Sequence, residues 1–381
     1  MGVTTADMLQ ASTQTRPSFW LRSRNWDLLF ITLSVILVPL PYLVYLIVRD
    51  QFGVPDDISR NAVNGFVAVA VGGPHMMSTF LRTGLDHKFR QRYSMLVRSS
   101  ILIPIIVVSL AFLNLTLLLT VFFFWAALHV LHQVTYIVEL YNFRERKVVM
   151  RSAVSLPARL IDYGVILTCL FPMAAYKISQ GSFDIGVNDL TRVIPDFFQQ
   201  TWFFVVMSTI FTAAATAYVV KTVREVRGGY ANWPKTVFIV LTVAVAFSMP
   251  MLPNLDTAFQ GLNTWHSFQY LALTFYIIKM RDKYGDLRES APLVAKASER
   301  SQDSRGLYAL SAMLLVGSAI VFAIVYLLTG IFQPASVSGN VANWRFDVAY
   351  YTAILSFLWI HYYHDHFLFT DFDALALAYD R

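Results

Sequence analysis

Apolar runs of about twenty residues recur along this chain, separated by short polar or charged stretches. A helix rises about 1.5 Å per residue, so such a run spans the ~30 Å hydrocarbon core of a membrane. None of the runs alternates apolar and polar positions over its length, which favours helices over the strands of a barrel. The pattern predicts ten spans, with a break between the third and fourth at Asn114: 26–48, 62–82, 99–117, 120–142, 156–176, 201–220, 235–252, 257–279, 307–329 and 346–369.

Composition supports a membrane protein and excludes several other classes. The mean hydropathy is +0.52 and 14% of residues are charged, against about a quarter in soluble domains. Cys169 is the single cysteine and lies in an apolar run, which excludes a disulfide framework and cysteine-based zinc or iron–sulfur sites. The net charge of +6 comes without a basic–aromatic stripe, so we expect no nucleic-acid partner.

Lysine and arginine predict the orientation. With ten spans, 25 of the 30 basic residues fall on one side of the membrane, and the basic side faces the cytoplasm. We therefore expect an all-α, polytopic bundle of a bacterial inner membrane with both termini in the cytoplasm. The predicted organisation is a cytoplasmic tail at 1–25, a helical domain at 26–370 and a second cytoplasmic tail at 371–381.

The eight histidines lie in or just after even-numbered spans, which all run towards the cytoplasm. Ionisable groups inside a bilayer are costly and usually line a functional interior. We therefore expect the histidines to meet in the cytoplasmic half of the bundle. They are His75, His87, His129, His132, His266, His361, His364 and His366.

The spacing of these histidines places several on shared helix faces, because residues three or four apart are neighbours on a helix. The pairs 129/132 and 361/364 are each three apart, and Asp365 is four residues after His361. Glu139 returns to the face of His132 two turns later. Gln269 and Tyr270 follow His266 by three and four residues.

Ordinary explanations exist for some of these residues. On its own, His266 could be an ordinary hydrogen-bonded histidine of a helix bundle, and His87 could be an ordinary histidine at the membrane interface. Asp86, Asp162 and Glu139 could pair with basic residues near the headgroups. Three histidines and a carboxylate within 361–366 have no simple packing explanation. The joint pattern predicts a metal site.

Imidazole suits zinc, copper, iron and nickel, and added carboxylates favour iron or manganese. Eight histidines exceed the three protein ligands of a typical catalytic zinc. We therefore expect non-haem iron, in a site with two ions, that activates O₂ toward a hydrophobic substrate from the bilayer.

The sequences HxxHDH at 361–366 and HxxH at 129–132, with separate histidines at 75, 87 and 266, resemble the histidine boxes of the membrane fatty-acid desaturase and hydroxylase superfamily. The resemblance implies that all eight histidines ligate two irons on the cytoplasmic side. This chain differs in lacking an HxxxH box and in having Asp365 inserted in the last box.

We expect Asp365, Glu139 and Asp86 to complete the coordination or to orient imidazoles by accepting hydrogen bonds. Gln269 and Tyr270 would hold bound oxygen or water. The substrate would be a lipid or isoprenoid that desaturation, hydroxylation or cleavage modifies. Desaturation also needs electrons, and a ferredoxin-type donor could dock on the basic loops.

Three alternatives remain at the level of sequence. A zinc-dependent intramembrane lipid hydrolase would need three histidines, a carboxylate and a water. A haem-binding membrane cytochrome would need histidines separated by the macrocycle. A transporter would spread ionisable groups along a path through the membrane.

Overall fold

The structure is a computed structural model that describes residues 18–149, 154–186, 188–331 and 341–370. Residues 1–17 and 371–381 of the two predicted tails lie outside the described residues. Each predicted span coincides with a long helical segment. We number these segments α1 (Arg24–Asp50), α2 (56–82), α3 (Ser94–Leu113), α4 (Leu115–Val149), α5 (Leu156–Ser179), α6 (Thr201–Arg227), α7 (Trp233–Met251), α8 (Leu255–Lys283), α9 (Arg305–Ile331) and α10 (Val341–Leu368).

These helical segments support the prediction of a helical membrane protein. Within the described ranges, seven helices are long and apolar enough to cross a membrane, namely α1, α3, α4, α5, α6, α7 and α9. The other three, α2, α8 and α10, carry His75, His266 and His361. The number of crossings and the side of the termini therefore stay predictions.

Local chemistry explains where the helices break. Asn114 leaves the helical region between α3 and α4, as the sequence predicts. In α2, a π-helical turn at Ala68–Gly72 precedes Pro74, which has no N–H to offer the carbonyl four residues earlier. That carbonyl, of Ala70, accepts a hydrogen bond from the Tyr308 hydroxyl at 2.6 Å. A π-helical turn at Leu28–Thr32 and a 3₁₀ turn at Leu33–Leu37 interrupt α1.

Shorter elements complete the connections. A two-residue antiparallel hairpin pairs Asp184–Ile185 with Asn188–Asp189 between α5 and α6, and 3₁₀ turns follow at Leu190–Arg192 and Asp196–Gln199. Short helices occur at His87–Arg92, Asp286–Ser290 and Pro292–Glu299. The last two connect α8 to α9.

A buried ion-pair network joins the helices around α5. The Lys221 ammonium lies 2.9 Å from a carboxylate oxygen of Asp162, and the Lys235 ammonium lies 3.2 Å from Glu145 and 3.8 Å from Asp162. The expected pairing of Asp162 with basic residues is thus confirmed. Asp162 is fully buried, so removing one partner would leave an uncompensated charge.

Helix α8 runs through the centre of the bundle in close contact with α1. A Cβ atom built on Gly261 would lie 1.9 Å from the Val38 carbonyl oxygen, so only glycine allows this approach. About two turns further on, the Gln269 side-chain amide donates to the Ile31 carbonyl at 2.7 Å. The two contacts fix the position of α8, which carries His266.

We predict that Gly261→Ala destabilises the protein, because the new methyl group meets backbone that cannot move without separating α1 from α8. The expected cost is about 1–3 kcal/mol, the usual range for overpacking with backbone displacement. It would be measured as a lowered thermal midpoint in detergent. Gly65→Ala is the matched control, since its Cβ would meet nothing within 4 Å; an equal loss for both variants would contradict the packing.

Candidate metal centre

Four of the eight histidines meet in the interior, one from each of α2, α4, α8 and α10. One ligating atom from each of His75, His129, His266 and His361 lies within 4.8 Å of the other three, and all four residues are buried. The neighbouring ring centroids are 4.4–4.9 Å apart, with the rings set edge to face. We call these residues the four-histidine centre.

A second layer of contacts lies one helical turn beyond the histidines. Thr79, Tyr270 and Asp365 each follow a histidine of the centre by four residues, and their side chains meet one another. The Tyr270 hydroxyl lies 2.6 Å from the Thr79 hydroxyl and 2.7 Å from Asp365 Oδ1. Both layers can form only if α2, α8 and α10 run in the same direction, as the sequence predicts.

The hydroxyl of Thr79 links the two layers. It donates to Asp365 Oδ1 at 3.0 Å and lies 2.6 Å from Nδ1 of His361. A hydroxyl has one proton and a carboxylate only accepts, so Thr79 must accept from the Nδ1–H of His361. This leaves Nε2 of His361 unprotonated, and that atom is buried without a hydrogen-bond partner. Such an outer hydrogen bond is the usual way a metal-binding imidazole is oriented.

Several polar atoms in the centre have no hydrogen-bond partner. An unsatisfied buried polar group costs about 1–3 kcal/mol, so a cluster of them calls for a bound group. Nitrogen lone pairs beside a carboxylate oxygen suit a divalent cation. The atoms are His75 Nδ1, His129 Nε2, both nitrogens of His266, His361 Nε2 and Asp365 Oδ2.

The dimensions also suit a single ion. Nitrogens on opposite sides of an ion bound at about 2.1 Å lie about 4.2 Å apart, close to the 4.8 Å limit within the centre. The remaining oxygen of Asp365 lies 3.4 Å from Nδ1 of His361 and 3.9 Å from Nε2 of His129. Asp365 therefore borders the ion's position, and the structure supports a metal site without identifying the metal.

The other four histidines lie elsewhere. His364 bonds to the hydroxyls of Ser100 at 2.8 Å and Thr83 at 3.1 Å. His132 and His366 contact each other, with ring centroids 5.4 Å apart. The ring of His87 lies 2.9 Å from the Ser290 carbonyl. Across the described part of the chain, the four-histidine centre is the one group of three or more potential ligands. The structure does not assemble the expected site for two ions.

Of the polar residues predicted to assist the metal, some lie beside the four-histidine centre and others lie elsewhere. Asp365 and Tyr270 border the centre. The side-chain amide of Gln269 is held by the Ile31 carbonyl, so it does not face the ion's position. Glu139 instead accepts from Arg159 at 2.8 Å and from Tyr163.

Asp86 likewise lies outside the centre. It caps the short helix at His87 by accepting from the Phe89 N–H and pairs with Arg281 at 2.7 Å.

Sequence reasoning did not single out Thr79, Gln133 or Tyr362. Thr79 follows His75 by four residues, the spacing that linked Asp365 to His361, so this signal was available. Gln133 follows His129 by four residues and donates to the His266 carbonyl at 3.1 Å. The ring of Tyr362 stacks on His129 at 4.1 Å between centroids, and nothing in the sequence marks it among the many aromatic residues.

A cleft of about 860 Å³ lies on the other face of α8. Its walls include Trp26 and Phe30 of α1, Ala70 of α2, and Phe268 and Phe275 of α8, so two helices of the centre also form the cleft. The π-helical turns at Leu28–Thr32 and Ala68–Gly72 both contribute residues to the lining of the cleft. Arg22, Lys279 and Lys283 lie at its charged end.

Comparison of the chain with protein-family models, with curated proteins and with solved structures finds no match.

We predict that alanine at His75, His129, His266 or His361 lowers the metal content of purified protein from one ion per chain to below about a tenth, because three imidazoles in an apolar cavity bind far more weakly. Metal content would be measured by elemental analysis. His87→Ala and His364→Ala are the controls and keep the full content. Equal losses in all six variants would mean that the histidines act only through folding.

We predict that Thr79→Val weakens metal binding by about 10–100-fold, the usual effect of removing a partner that orients a ligand. Valine keeps the shape of the side chain but leaves the Nδ1–H of His361 without an acceptor. Competition with a chelator would measure the change. Thr242→Val is the matched control, because that buried hydroxyl has no hydrogen-bond partner; a similar shift there would contradict the assigned role.

Proposed function

We propose that this protein is an integral membrane oxidoreductase that holds one non-haem iron in the four-histidine centre and uses O₂ to modify a lipid-like substrate. The observation that carries the proposal is the set of unpartnered imidazole nitrogens, directed at one another in the apolar interior of the bundle.

The number of ligands argues against a catalytic zinc. Zinc in proteins is almost always tetrahedral, and a catalytic zinc keeps one of its four positions for water. Four imidazoles would fill all four positions, which argues against the zinc hydrolase. An octahedral iron(II) ion with the same four ligands retains two positions, and bound iron of this kind would supply O₂ activation.

The spacing of the rings argues against haem in the same place. The neighbouring ring centroids are only 4.4–4.9 Å apart, and a porphyrin between two axial histidines would require a much wider gap. Across the described residues, the remaining histidines are hydrogen-bonded to other groups or form the separate pair of His132 and His366.

The residues around the centre have separable roles in this proposal. Thr79 holds the imidazole of His361, and Gln133 holds the backbone of α8 beside His266. Tyr270 donates its proton to Oδ1 of Asp365. The other oxygen, Oδ2, is free to accept a proton from a substrate or water next to the ion.

The substrate class follows from the surroundings. The cleft beside α8 has apolar and aromatic walls, and its charged lining residues are Arg22, Lys279, Lys283 and Asp303, which suits a long apolar molecule with a polar terminus. Opening a C=C bond with O₂ consumes no external electrons, whereas desaturation and hydroxylation each require a reductant. A ferredoxin-type donor belongs to the proposal only in the second case.

The test is spectroscopic and needs no substrate. Protein loaded anaerobically with iron(II) would be exposed to nitric oxide, which binds open positions on non-haem iron(II) and gives a characteristic half-integer-spin EPR signal. We predict this signal in the wild type and its loss in His266→Ala. The protein with zinc alone would remain EPR-silent.

A second experiment addresses the reaction. Membranes containing the protein would be incubated with isotopically heavy O₂ and a lipid extract, with and without a reductant. Heavy oxygen in a lipid product without reductant indicates cleavage, and product only with reductant indicates hydroxylation or desaturation. Full metal loading as zinc, with neither an EPR signal nor O₂ consumption, would refute the oxidoreductase proposal.

A further inference from the structure

A second histidine pair connects the same helices near the centre. His132 of α4 and His366 of α10 have ring centroids 5.4 Å apart, with the rings tilted by 45°. His366 is exposed and His132 is half-buried. No hydrogen bond or ion pair involves either ring in the part of the chain that the structure describes. Neither ring is therefore held by another side chain of the described residues, and both remain available to bind an ion.

One aromatic ring separates this exposed pair from the buried centre. The ring of Phe369 lies 5.3 Å from that of His132 and 5.7 Å from that of His129, between centroids. Phe369 is only 4% exposed and also packs on Tyr136 and Tyr270. It directly follows the last residue of α10.

The His132–His366 pair is better suited to passing a metal ion on than to holding it permanently. Two imidazoles that share an ion place their nitrogens about 3–4 Å apart at bond lengths near 2.1 Å, and the two rings here have centroids 5.4 Å apart. Two ligands leave most of the ion hydrated and the binding reversible. The carboxylates nearby cannot add to it as they stand, because Asp365 faces the centre and Glu139 is held by Arg159.

The buried four-histidine centre needs a path by which a metal ion can reach it. Its four histidines are at most 5% exposed, and a bare divalent ion cannot cross apolar packing at acceptable cost. His132 lies one turn from His129 on α4, about 5 Å along the helix. A ligand on the same helix can therefore receive the ion as the first one releases it.

We propose that His132 and His366 form an entry site that captures divalent iron from solution and passes it, past the ring of Phe369, to the four-histidine centre. This inference rests on the metal centre described above. It assigns His132 and His366 a role in loading the centre and none in holding the resident ion.

The experiment follows metal uptake. Protein stripped by a chelator would be mixed anaerobically with micromolar iron(II), and bound iron would be measured over time after free metal is removed. We expect His132→Ala and His366→Ala to slow uptake at least tenfold, with the final content still one ion per chain. Phe369→Ala should accelerate both uptake and release, because it removes the barrier.

Matched variants separate the possible outcomes. His87→Ala removes a histidine outside both sites and should load at the wild-type rate. Unchanged uptake in both pair variants would overturn the entry site. A fall from two ions to one would also overturn it, since the pair would then hold a resident second ion. Wild-type protein that takes up no ion would instead refute the metal centre itself.

Because His366 is exposed, its replacement leaves the packing of the bundle intact, and the thermal midpoint of His366→Ala would verify this. A variant with the wild-type midpoint and slow uptake supports the proposal. Slow uptake that appears only in unfolded preparations contradicts it.

Discussion

Unpartnered imidazole nitrogens inside an apolar helix bundle are the constraint on which the rest of this structure depends. Each buried polar group without a partner costs about 1–3 kcal/mol, and the centre gathers five such nitrogens and one carboxylate oxygen. A bound cation satisfies several of them at once. The histidines come from four separate helices, so the ion would also hold α2, α4, α8 and α10 together.

The second layer fixes the geometry of the four-histidine centre. Thr79, Tyr270 and Asp365 bond to one another one turn beyond the histidines, so three helices are fixed in register and the His361 imidazole in one tautomer. The close approach of α8 to α1 at Gly261 sets the depth of His266 in the bundle. Fixed ligands of this kind lose little conformational freedom on binding, which favours tight binding.

Much of the fold could be predicted from the sequence, because apolar runs and proline or asparagine breaks act locally. All ten predicted spans coincide with helices, and Asn114 breaks the chain where expected. Spacing also identified Asp365 and Tyr270 as neighbours of the histidines. The division of the histidines could not be predicted in this way, since it depends on how each helix is rotated against the others.

His364 illustrates this limit. It shares a helix face with His361 by spacing, yet its ring turns towards Ser100 and Thr83, whose hydroxyls come from other helices. Glu139 similarly lies on the same helix face as His132 by spacing, but its carboxylate pairs with Arg159 instead. Helix periodicity gives the faces, whereas tertiary partners decide which side chains reach the ion, and those partners are distant in sequence.

The central claim is that one ion is held by four imidazoles, and X-ray absorption on the iron-loaded protein tests it most directly. We predict a first shell of nitrogen and oxygen at about 2.1 Å, with the outer-shell scattering of four imidazole rings and no metal–metal distance. Scattering from a second iron at about 3.5–4 Å, the spacing of two-metal sites, or a shell with fewer than three imidazoles, would contradict it.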